Sequence, residues 1–217
     1  MLQIVLRGAL VIASVLGILI LAFTVINPPI NLYIFSEWRR LGTVDRTWVP
    51  LEAMAPELAR SVVAAEDANF CLHWGFDMVA IREALDRGRG GASTISQQTV
   101  KNVFLWQGQT WTRKAIEAVI TPLVELVWSK RRILEVYLNV AEFGEGVFGA
   151  EAAAQHHFRV SAAELTPTQA ARLAAVLPDP KGRDAANPTS FVRKRAQAAL
   201  AGAETIKADG RAACFEP

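Results

Sequence analysis

The chain has 217 residues, is 52% hydrophobic, and sets 23 Lys and Arg against 21 Asp and Glu, a formal net charge of +2. That length suits one domain with a sizeable core and not two large ones. A charge so close to balance excludes wholesale wrapping of nucleic acid, so any anion recognition must come from local clusters.

The first element in chain order is residues 8–26, nineteen positions without a charge. This is about the length a helix needs to cross a hydrocarbon core. No A-x-A cleavage site follows, and Asn27-Pro28-Pro29 ends the run, so the expectation is an uncleaved anchor over residues 1–30. A domain over residues 31–200 and a tail over 201–217 complete the division. Arg7 on one side of the run and Glu37, Arg39 and Arg40 on the other set orientation only weakly. Because nearly all of the chain follows the run, the reading is a single pass through a bacterial inner (cytoplasmic) membrane with the domain on the periplasmic side.

Beyond the anchor, apolar spacing predicts helices over residues 56–66, 77–85, 94–104, 113–137 with an interruption at Pro122, 149–158 and 167–177. Strand-like alternation is confined to residues 46–51, so the fold class is mainly α. Cys71 and Cys214 could close one disulfide in an oxidising compartment. Two cysteines define no framework, however, and Cys214 sits in an unpatterned tail, so whether they pair stays open, with the unpaired state favoured.

On the helix starting at Pro56, Ala59, Val62, Val63 and Glu66 follow one face. Glu66 thus ends an apolar stripe, where lost hydration should raise its pKa towards the range useful to a general base. Asp67 points elsewhere and could orient the next turn. The stretch GGASTISQQTVKN, residues 90–102, has glycines for close backbone approach and a T-x-x-Q capping box from Thr94 to Gln97. Free amides at such a helix start, with Ser93 and Thr94, can hold phosphate or sugar oxygens. Gln97, Gln98 and Lys101 reach for the same ligand.

These residues carry a resemblance. Glu66, Asp67, Phe70, His73 and Gly75 match E-D-x-x-F-x-x-H-x-G, and Gly91, Ser93, Thr94, Gln97, Gln98, Lys101 and Asn102 match G-x-S-T-I-x-Q-Q-x-x-K-N. Arg113, Lys114 and Glu117 match R-K-x-x-E, and Lys130, Ile133, Leu134, Glu135, Tyr137, Leu138 and Asn139 match K-x-x-I-L-E-x-Y-L-N. Four motifs in this order resemble the peptidoglycan glycosyltransferases, glycosyltransferase family 51, in their monofunctional, membrane-anchored form. The resemblance implies a lysozyme-like domain that polymerises lipid II at the membrane, extending a glycan chain, with cell-wall synthesis proteins as possible partners.

It also implies roles. Glu66 takes the proton of the acceptor hydroxyl, and Glu117 is the second catalytic carboxylate, holding a divalent ion (Mg or Mn) or orienting its cationic neighbours. Ser93, Thr94, Gln97, Gln98, Lys101, Asn102, Arg113 and Lys114 bind substrate. Fewer than a hundred residues follow the fourth motif and no S-x-x-K with K-T-G is present, so no transpeptidase activity is expected. The competing readings are a glycan hydrolase, disfavoured by the Lys101, Arg113 and Lys114 cations, and an inactive scaffold, disfavoured by the intact Glu66 and Glu117.

The remaining features read as structural. Glu135 locks helices together, and 130–132 is a solvated helix end. Residues 144–149 match GxGxxG but follow a helical segment, so they are turns lining the sugar cleft rather than a dinucleotide site. His73, His156 and His157 lack zinc spacing. Gln107-Gly108-Gln109 stands where close relatives often carry an Arg, one cation fewer near the diphosphate. The segment 85–105, with Trp106 and Trp111, could dip into a bilayer.

Overall fold

The computed structural model describes residues 1–88, 91–108 and 110–216, without the side chains of residues 2 and 5. Ten α-helices dominate the described residues, so the mainly α expectation holds. α1 (Leu2–Ala22) and α2 (Leu32–Leu41) precede the catalytic body. That body consists of α3 (Pro56–Glu66), α4 (Met78–Asp86), α5 (Ile95–Phe104), α6 (Trp111–Val127), α7 (Lys130–Val140), α8 (Ala150–Phe158), α9 (Pro167–Val176) and α10 (Ser190–Ala208).

Among the described residues, seven of the ten helix starts carry a side chain that accepts from a free amide. Asn31, Asp77, Thr94, Thr110, Ser129, Thr166 and Thr189 accept at the N-termini of α2, α4, α5, α6, α7, α9 and α10. Three short strands, β1 (Asp45–Arg46), β2 (Glu142–Gly144) and β3 (Val147–Phe148), form one sheet in the order β1-β3-β2. β3 pairs parallel to β1, with Asp45 opposite Val147, and antiparallel to β2, with Glu142 opposite Phe148.

Two helix groups meet at the site. α3 packs against α9 and α10, and α5 against α6 and α7. The α3–α10 approach is close: a Cβ on Gly202 would lie 2.9 Å from the Cβ of Ala64, so only glycine lets α10 settle there. The central helix α7 buries Ile133, Leu134, Val136, Tyr137 and Leu138 against both groups.

Several elements differ from the sequence reading. The break in 113–137 falls at Trp128–Ser129, where Trp128 is extended and Ser129 caps α7. Pro122 stays inside α6, because it and Ala118, four residues earlier, lie on the helix's exposed side. Within 46–51 only Arg46 is strand. Residues 144–149 form part of the β2–β3 hairpin, whose Glu142 accepts from the Tyr33 hydroxyl. No βαβ unit surrounds it.

α10 and the residues after it were the largest omission. Its buried positions, Val192, Ala196, Ala199, Ala203 and Ile206, have helical spacing but are mostly alanine, so the contrast between faces is weak. The supposed tail is docked: Phe215 is 1% exposed, and Cys214 is joined to Cys71 by a disulfide with a Cα–Cα distance of 5.6 Å. The pairing that the sequence left open is thus made. The pairing depends on tertiary structure that brings together residues 143 apart in sequence.

α1 begins before the apolar run and ends at Ala22, with turns over residues 23–26. Its end is bolted to the body: Trp128 Nε1 donates to the Ile20 carbonyl at 2.8 Å, and Arg132 donates to the carbonyls of Phe23 (3.0 Å) and Ile26 (2.8 Å). Among the described residues no helix is long and apolar enough to cross a membrane; residues 2 and 5 of α1 lie outside that set.

Gly75 has φ +87°, and a Cβ there would come within 2.6 Å of Thr121 Cγ2 on α6. Gly75→Ala is therefore expected to cost about 1–3 kcal/mol, from overpacking and left-handed strain together. A drop in urea midpoint with an unchanged m-value would register it.

Candidate active site

Glu66 is the last residue of α3, and Asp67 leaves the helix with φ −161° and ψ 69°. The two neighbours then do different work. Asp67 Oδ2 accepts from the Ile95 amide at 2.9 Å, and its Oδ1 pairs with His73 Nε2 at 2.8 Å. Because the Gly75 amide donates to His73 Nδ1, the ring's proton sits on Nε2 and is donated to Asp67. Asp67 thereby fastens the end of α3 to the start of α5, a longer-range tie than the local turn the sequence suggested.

That junction aims Glu66 at α5. Gln98 Nε2 donates to Glu66 Oε2 at 2.9 Å, and the buried Tyr137 hydroxyl on α7 donates to Gln98 Oε1 at 3.1 Å. Three motifs thus meet in one chain, Tyr137 to Gln98 to Glu66. Burial pushes the Glu66 carboxyl above its ordinary value and Asp67 adds to the rise; the Gln98 amide and the cations Arg195 and Lys101 oppose it. The same burial, with the charges of Glu66 and Asp67, drives the Tyr137 phenol well up, so it remains a neutral donor.

A cationic cluster lies alongside. Glu117, 2% exposed, is held between Arg113, whose Nη1 donates at 2.6 Å, and Lys114. Arg113 Nε also donates to the Gly108 carbonyl at 2.7 Å, and Lys114 Nζ to Ser93 Oγ at 3.2 Å. Lys101 stands between the two halves. Its pKa is lowered by burial and by Arg113, and raised by Glu117 and Glu66. Among the described residues its ammonium has no hydrogen-bonding partner, so it is free to meet a ligand. A cavity of about 590 Å³ opens beside Lys114 and Ser93, walled by Ile81, Ala84, Leu85 and Trp111.

The structure brings Glu66, Gln98, Lys101, Ser93, Arg113, Lys114 and Glu117 together; Thr94 and Asn102 turn inward, while Gln97 caps α5 through Oε1 and also lines the 590 Å³ cavity. Thr94 and Gln97 satisfy each other in the capping box, and Thr94 Oγ1 donates to the Gly75 carbonyl. With Ile95 N given to Asp67 and Gln97 N to Thr94, these α5 amides are not free for phosphate. Asn102 is buried and accepts from Gln107, which holds the 105–108 loop. Gln109 lies outside the described residues.

At Glu117, where the divalent ion is expected, both carboxylate oxygens are engaged by cations, and no group of three His, Cys, Asp or Glu gathers among the described residues; a Mg or Mn ion held there would take its other ligands from substrate phosphates and water. The 130–132 end is not solvated either: Lys130 pairs with Glu125 and sits over the Phe70 ring, Arg131 pairs with Glu52, and Arg132 with Glu135. Glu135 also accepts from the Leu51 amide at 3.1 Å, so it locks elements together as expected.

Comparison with known proteins agrees with this assembly of motifs. The Transglycosylase family model matches residues 35–204. The chain belongs to the transglycosylase family. It is 61% identical over 211 residues to the biosynthetic peptidoglycan transglycosylase of a Jannaschia species, covering 97% of this chain and 88% of that protein. Proteins of the same name from Xanthomonas axonopodis pv. citri and Rhodospirillum centenum are 52% and 49% identical, over 85% and 79% of this chain and 79% and 77% of their own lengths.

Sequence reasoning missed one residue of this transglycosylase site. Arg195 on α10 lies close enough to Glu66 to stabilise its charge, and its Nε is buried without a partner. The only available signal was a basic residue in an alanine-rich helix, too common to single out.

Activity that needs Glu66 ionised should fall on the acid side at a pH above the ordinary carboxylate range of about 4.3. Gln98→Leu removes a donor to the ionised form, so the acid limb of kcat/KM against pH should move further up. A limb that stays in place would separate Gln98 from the titrating group. Since folding disfavours the Glu66 charge, Glu66→Gln should melt at or above the wild-type temperature at pH 7 while losing activity.

Proposed function

We propose that this chain polymerises lipid II into β-1,4 glycan strands with release of polyprenyl diphosphate, as a glycosyltransferase of bacterial cell-wall synthesis. The observation that carries the reading is Lys101, electrostatically coupled both to Glu66 and to the Arg113, Lys114 and Glu117 cluster. A raised-pKa base and a cationic leaving-group site thus lie one side chain apart.

Glu66 takes the proton of the acceptor's 4-hydroxyl as that oxygen attacks the anomeric carbon of the donor. Direct displacement inverts an α-linked donor to a β-linked product and needs no glycosyl-enzyme. The departing diphosphate requires charge neutralisation rather than a proton. Lys101, Arg113 and Lys114 supply it, with Ser93 positioning the Lys114 ammonium. Glu117 acts as the buried counter-charge that holds Arg113 and Lys114 in place. No step is routed through a metal ion.

The membrane setting belongs to the same proposal. α1 exposes Ile4, Leu10, Val11, Ile12, Ile18 and Leu21, a surface suited to lipid rather than water. Trp111, 91% exposed, and Leu85 present apolar area beside the 590 Å³ cavity, where the lipid part of a substrate would approach. The Cys71–Cys214 disulfide favours an oxidising compartment. Together these support an inner-membrane anchor with the domain on the periplasmic side.

Lipid II incubated in liposomes with the full chain should yield glycan polymer on a gel, and Glu66→Gln none. Lys114→Ala should reduce kcat/KM about 10²-fold, as expected for losing one leaving-group contact. Polymer made by Glu66→Gln would exclude Glu66 as the base.

A further inference from the structure

The residues after α10 cross the loop that follows Glu66 and grip it on one side. Arg211 Nη1 donates to the Ala68 carbonyl at 3.0 Å, and Asp209 fixes that guanidinium through Nε at 2.9 Å. Cys214 is bonded to Cys71, and the rings of Phe215 and Phe70 lie 6.5 Å apart between centroids. The segment is itself held to the body, its Phe215 carbonyl accepting from Arg131 at 2.9 Å and Glu216 pairing with Arg60 of α3 at 3.0 Å.

On its other side the loop is held by Asp67, through Ile95 and His73. Glu66 is the terminal residue of α3, and helix ends fray unless the chain beyond them is tied down. Residues 67–73 are that chain; Asp67 ties it on the α5 side, Asn69 donates to Asp77 at 2.8 Å and Lys130 sits over the Phe70 ring, and residues 209–216 hold it on the other side.

We propose that residues 209–216 are a positioning strap for the transfer reaction. Arg211 and the Cys71–Cys214 link fix the 67–73 loop and so keep Glu66 within hydrogen-bonding reach of Gln98. This rests on Glu66 being the base. The strap touches no reacting atom; it acts through the loop alone.

The test uses the full chain in liposomes with lipid II, comparing wild type, Arg211→Ala, Arg211→Lys and the Cys71→Ser/Cys214→Ser double variant. Folded fraction at the assay temperature is read by circular dichroism. A displaced base should lower kcat about tenfold in Arg211→Ala and in the double variant at full folded fraction, with KM changed less than about twofold. The acid limb of the pH profile should rise as Glu66 loses its Gln98 donor, and Arg211→Lys should recover most of the rate. Wild-type kcat and an unmoved acid limb in both variants, or losses that only track the unfolded fraction, would overturn the strap. Failure of the base assignment looks different: Glu66→Gln would then remain active whatever the strap variants do.

Discussion

The site depends on one carboxylate that takes no part in the proposed chemistry. Asp67 accepts the first helical amide of α5 and the Nε2 proton of His73. That contact joins the α3, α9 and α10 group to the α5, α6 and α7 group at the point where the cleft must be precise. A charged acceptor at a helix N-terminus is favoured by the free amides and by the helix dipole. It also occupies the place a substrate phosphate would otherwise take. In the proposed reaction the phosphate role accordingly falls to the side chains of Lys101, Arg113 and Lys114.

The electrostatics of the site are a balance in two parts. Burial raises the Glu66 carboxyl, and Gln98, Arg195 and Lys101 oppose the rise. Glu117 works in the opposite sense on its side: it offsets the repulsion between Arg113 and Lys114, which would otherwise drive the two apart, and leaves the cluster net positive. A buried carboxylate with a cation on each oxygen is costly to assemble and costly to break. This gives a physical reason for a Glu in R-K-x-x-E without invoking a metal.

Legibility in the sequence followed locality. Glu66 could be read because an apolar stripe at helical spacing ended on it, and the Thr94–Gln97 capping box because both partners lie in one turn. What the pattern alone does not separate is a group spent on its own helix end, as Thr94 is, from one that caps the helix and still faces the cavity, as Gln97 does. Gln98 could be placed on the right helix, but its bonds to Glu66 and Tyr137 span 32 and 39 residues and are set only by packing. Arg195 and Arg211 were hidden for the same reason, on and just after an alanine-rich helix with little hydropathy contrast, and Cys71 and Cys214 are brought together only by tertiary structure. The Pro122 break failed because a proline on an exposed helix face is tolerated where a buried one is not.

The central claim is that burial makes Glu66 a base poised above the ordinary carboxylate range. The most direct measurement is its carboxyl titration, followed by carbon NMR in the folded chain with Glu66→Gln used to assign the resonance. The account predicts a midpoint above the ordinary glutamate value of about 4.3, moving higher still in Arg195→Ala. A midpoint at or below that value would contradict it, because the nearby cations and Gln98 would then outweigh burial and leave Glu66 too weak a base for the role.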